Sequence, residues 1–134
     1  MSVAAAALCI GLLGTTAPAA VVPEPAFTLT WTHSVEKIVW REAYVLAPRG
    51  LRLTEAAVQG TGAGMEPPPE ARLVDGWYVY APDRTVTDIV IPDSDFTGPM
   101  TLCAGERCAP VAAWAGRPAD AITPVRLWPC PAAD

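Results

Sequence analysis

From Phe27 to Leu46 the chain reads FTLTWTHSVEKIVWREAYVL, and its side chains change character at every second residue. A period of two marks a strand with one buried face. Phe27, Leu29, Trp31 and His33 share one face, with Thr28, Thr30 and Thr32 on the other. In the next run Ile38, Trp40, Glu42, Tyr44 and Leu46 share a face. A hairpin centred on Val35 and Glu36 sets Trp31 opposite Trp40, Phe27 opposite Tyr44, Leu29 opposite Glu42 and His33 opposite Ile38. Cross-strand aromatic pairs contribute about 0.2–1 kcal/mol each beyond simple burial, which favours this register.

The rest of the chain is built in the same way. Fifteen prolines and ten glycines break it into short pieces. No stretch after the first twenty residues sustains a helical period, apart from a weak signal near Ala112–Ala115. Strand-like runs recur at Leu51–Val58, Arg72–Val74, Trp77–Tyr80, Val86–Ile91, Met100–Cys103, Cys108–Val111 and Pro124–Leu127. Asp75-Gly76 is a hairpin turn signal, and Pro48-Arg49-Gly50 is a second turn. This spacing predicts an all-β domain, a small antiparallel meander forming a barrel or sandwich.

The first twenty residues stand apart in composition. Val3–Leu13 is almost wholly apolar, Ala17-Pro18-Ala19 resembles a cleavage site, and every charged side chain lies further on. The run is too short to cross a bilayer and fits a signal-peptide core. Residues 1–20 are therefore expected to be a signal peptide or anchor. Residues 21–134 are expected to be one β domain with an irregular C-terminal tail and a periplasmic or other extracytoplasmic location. Membrane attachment is expected only through an uncleaved N-terminal segment.

Cys103 and Cys108 bracket Ala-Gly-Glu-Arg and are expected to bond across a turn, as suits an exported domain. With Cys9 in the leader, Cys130 is left over as a free thiol or a bond to another chain. Two thiols with four residues between them and one distant histidine make a poor zinc site, so neither metal nor cofactor is expected. A net charge of −5 without a basic stripe disfavours nucleic acid.

Two segments gather the remaining polar signals. The turn holds His33, Ser34, Glu36 and Lys37. The run GTGAGM supplies Gly60, Gly62, Gly64 and Met65. A phosphate-cradling loop would lead into a helix, whereas here Pro67-Pro68-Pro69 follows within three residues. His33 and Ser34 point to opposite faces of an extended strand, so they form no nucleophile–base pair without a bend. Glu42 lies roughly 13 Å along the sheet from His33 in this register. The two segments are read together as one binding surface. The competing reading is a small hydrolase or isomerase using His33 with Glu36 or Glu42.

WTHSVEK followed by W-x-E-x-Y, then LRLTEA, GTGAGM, DGW and LC-x4-C, resembles a bacterial family of small exported proteins, domain of unknown function eighteen-fifty. The resemblance runs from about Phe27 to Val111. It implies an extracytoplasmic location and an accessory role beside TRAP-type transporters of the TAXI subclass, with a receptor or permease as partner. It implies no catalytic residue.

Overall fold

The computed structural model describes residues 7–32, 38–59, 68–92 and 100–131. They fold into two stacked antiparallel sheets, an open sandwich rather than a closed barrel. The large sheet contains β3 (Ala26–Thr32), β4 (Val39–Ala47), β5 (Gly50–Gln59), β6 (Arg72–Val74), β7 (Trp77–Tyr80), β8 (Arg84–Val86), β10 (Thr101–Ala104) and β11 (Arg107–Pro110). Its order is β11-β10-β3-β4-β5-β7-β6, with β8 pairing the first half of β5. The small sheet is β2-β1-β12-β9, from β1 (Ala7–Leu12), β2 (Ala20–Val22), β9 (Ile89–Ile91) and β12 (Val125–Cys130). The weak helical signal becomes one turn, α1 (Val111–Trp114). No helix among the described residues is long and apolar enough to cross a membrane.

The register of β3 and β4 follows from their alternation. Trp31 faces Trp40, Leu29 faces Glu42 and Phe27 faces Tyr44. Both aromatic pairs stack, with ring centroids 6.2 Å apart for the tryptophans and 5.2 Å for Phe27–Tyr44. Asp75 and Gly76 both take positive φ, 50° and 84°, between paired Val74 and Trp77. That is the backbone a two-residue hairpin demands. Pro48 and Arg49 turn the chain between Ala47 and Gly50. Gly50 is required by proximity, because a Cβ there would lie 2.5 Å from the Val86 carbonyl oxygen.

One bulge repairs a conflict in the sequence pattern. Strict alternation along β5 puts Glu55 on the same face as Leu51 and Leu53. Between the pairs Tyr44–Leu53 and Ala43–Glu55 the register shifts, and Thr54 is the extra residue. Thr54 Oγ1 donates to the Ala43 carbonyl at 3.2 Å. The shift turns Glu55 to solvent and brings Ala56 and Val58 inward, buried.

The core lies between the sheets. Leu8 and Ile10 of β1, Val125 and Leu127 of β12, and Ile91 of β9 pack onto Phe27, Leu29, Tyr44, Leu51, Leu53 and Leu102. Trp114 closes one side, its indole N–H donating to the Leu102 carbonyl at 3.1 Å.

Four expectations differ from this structure. Residues 7–12, assigned to a leader, form β1, buried on both faces between β2 and β12. A continuous apolar run looks alike in a signal segment and in a doubly buried strand. The tail is not irregular, because Val125–Cys130 pairs with β1 on one side and β9 on the other. Cys130 is neither free nor intermolecular. It is bonded to Cys9, with Cα atoms 5.9 Å apart, beside the expected Cys103–Cys108 bond. Cys9 lies in the apolar run that reads as a leader, so the sequence offers no partner for Cys130. Finally, Val86–Ile91 is not one strand. The chain leaves the large sheet after Val86 and joins the small one at Ile89.

Candidate functional site

The inner face of the large sheet carries a row of side chains beyond the part that the small sheet covers. Leu29 and Trp31 come from β3, and Trp40, Glu42 and Tyr44 from β4. Ala56 lies beside Glu42 and pairs in turn with Tyr80 of β7. The edge strand β9 of the small sheet overhangs this row. Between them is a cleft of about 380 Å³. Leu29, Trp31 and Glu42 form its large-sheet wall, Ile89 to Pro92 the facing wall, and Met100 one end.

Among the described residues, Glu42 is the only charged side chain lining the cleft. It occupies an inward position of an otherwise apolar row. Its Oε1 accepts a hydrogen bond from the Tyr44 hydroxyl at 2.9 Å. Burial, then the negative charge of Glu42, raises the Tyr44 phenol well above the usual tyrosine range. The Tyr80 phenol is raised by the same two causes in the same order, opposed by Arg84. Both phenols stay protonated at neutral pH, and Tyr44 is a fixed donor. The site is thus an apolar slot with a tryptophan on one wall and one negative group inside.

The cleft holds little beyond a carboxylate for metal chemistry. Among the described residues, all four cysteines are in disulfides, and no three metal-ligating side chains converge.

His33, Ser34, Glu36, Lys37, Gly60, Gly62, Gly64 and Met65 lie outside the described residues. The residues flanking them are described, and they come together. Thr32 pairs with Val39, and Trp40 pairs with Val58, so the ends of β3, β4 and β5 meet at one edge of the sheet. Pro92 and Met100, which flank residues 93–99, line the cleft beside Trp31 at the same end. Of the residues weighed in the sequence, Trp31 and Glu42 share the cleft. Elsewhere, Arg41 and Trp77 stack on each other at 4.8 Å on the opposite face of the sheet.

Val90, Pro92 and Met100 give no signal in the sequence, being ordinary apolar residues on separate segments. Glu42 does give one. A glutamate in phase with Trp40 and Tyr44 is a charge at an inward-facing position, and charged residues are rarely buried unless paired.

No curated protein and no solved structure matches this chain. A family model does, over residues 27–111, which takes in β3 to β11 and leaves β1, β2 and β12 outside. On that match, which covers more than half of its length, the chain belongs to the family described as Domain of unknown function (DUF1850).

Proposed function

We propose that the protein is a non-catalytic binding module of an oxidising, extracytoplasmic compartment, and that the cleft beside Trp31 is where it holds a small ligand. The cleft carries this reading. It is concave and mostly apolar, with one polar group placed inside, and its volume falls in the range of small-molecule sites. The two disulfides support the compartment, since such bonds persist where thiols are not kept reduced.

Within that compartment we assign an accessory role in TRAP-type solute uptake, with a solute handed to or taken from a TAXI-type receptor. Motif resemblance supports this finer assignment. The enzymatic alternative has less support. No hydroxyl, thiol or imidazole of the described residues lines the cleft with Glu42, and Tyr44 is already committed to that carboxylate.

The test is equilibrium dialysis of the oxidised domain against solutes of the source organism's TAXI-type receptors, with mass analysis of the recovered solute. Saturable binding with the solute recovered intact is the expected result. Recovery of a chemically altered solute, lost in Glu42→Gln, would replace the binding reading with the enzymatic one.

A further inference from the structure

Resting on that reading of the cleft as a ligand site, we propose that its ligand is a small organic cation, an ammonium or amine group carried on an apolar body. Glu42 projects inward between Leu29 of β3 and Ala56 of β5, where an aliphatic side chain would pack without cost. A partly buried carboxylate is unfavourable unless something compensates it. Tyr44 supplies one neutral donor. Among the described residues, no cationic side chain lines the cleft or forms an ion pair with Glu42, while Arg84 opposes the effect of Glu42 at both phenols.

Three ligand classes can be compared on this geometry. An anion would meet the like charge of Glu42. A neutral apolar molecule would displace water from the carboxylate and return no hydrogen bond. An ammonium group would make a charge-assisted hydrogen bond with Glu42, and the indole of Trp31 would add a cation–π contact. The apolar body of the same ligand would lie against Leu29, Ile89 and Met100.

The experiment compares three probes of one chain length, hexylammonium, hexan-1-ol and hexanoate, by NMR titration of the oxidised protein at neutral pH. A charge-assisted hydrogen bond predicts that hexylammonium binds at least about tenfold more tightly than hexan-1-ol, with hexanoate the weakest. Glu42→Gln keeps an acceptor for Tyr44 but removes the charge. In this variant the ammonium should bind no more than about threefold more tightly than the alcohol. Equal binding of ammonium and alcohol by the native protein, or a preference for hexanoate, overturns the cation assignment while leaving the cleft a ligand site. So does an ammonium preference that survives in folded Glu42→Gln. If none of the three binds, the reading of the cleft as a ligand site fails with it.

Discussion

Removing the Cys9–Cys130 bond should cost this fold more than any other single cross-link. The bond joins residues 121 apart in sequence, whereas Cys103 and Cys108 are 5 apart. Loop-closure entropy then gives about 5 kcal/mol for the long bond and about 2 kcal/mol for the short one at 25 °C. Domains of this size have total stabilities of about 5–15 kcal/mol, so the long bond supplies a third or more of the whole. The structure explains why the cost is local as well. β1 is held only by β2 and β12 in its sheet, and Cys130 is the last residue of β12. The perturbation is the double variant Cys9→Ala/Cys130→Ala, compared with Cys103→Ala/Cys108→Ala so that no lone thiol remains. Urea unfolding under non-reducing conditions reads the difference. The expected outcome is a first variant less stable than the second by about 3 kcal/mol, with no free thiol in the denatured native protein. Equal losses, or two free thiols, would refute the clasp and detach β1 from the domain.

Further outcomes follow from other parts of the structure. A double-mutant cycle of Trp31→Ala and Trp40→Ala should give a coupling of about 0.5–1.5 kcal/mol for the stacked pair, and a zero coupling in urea unfolding would place the rings apart. Gly50→Ala should destabilise by about 1–3 kcal/mol, because the new methyl meets the rigid Val86 carbonyl; unchanged unfolding would contradict that approach. The phenols of Tyr44 and Tyr80 are raised in the folded state, so their contribution to stability is complete below the unfolded tyrosine value of about 10. As pH rises above it the unfolded chain loses protons that the folded one keeps, and stability falls. A urea midpoint that does not decline above that pH would contradict the burial of the Tyr44 hydroxyl.

The residues that were easiest to interpret are those whose partner lies close in sequence. The β3–β4 register, the Asp75-Gly76 turn and the Cys103–Cys108 bond each depend on a few neighbouring positions, and each was legible. The small sheet was not, because its strands come from opposite ends of the chain. Nothing local to ALCIGL or VRLWPC announces that they pair, and an uninterrupted apolar run carries no period to separate strand from leader. The bulge at Thr54 was visible only as a misfit, a glutamate on the wrong face. The cleft was half legible. Trp31 and Glu42 stood out by type and phase, whereas Ile89, Pro92 and Met100 become part of it only when the chain changes sheets after Val86. The turn and the glycine run lie outside the described residues; the strands that flank them end near the cleft, whose lining side chains come from other positions.

If ligand enters between the sheets beside Trp31, the tryptophan indole N–H signals will report it. They can be assigned by single Trp→Phe variants and followed during titration with hexylammonium. Trp31 borders the cleft, whereas Trp77 and Trp128 are stacked under Arg41 and Arg126 outside it, and Trp114 is buried against Leu102. Binding in the cleft should give a saturable shift of the Trp31 signal with those of Trp77, Trp114 and Trp128 unmoved. A saturable shift at Trp77 or Trp128 with Trp31 unmoved would put the binding site on an outer face and contradict the claim.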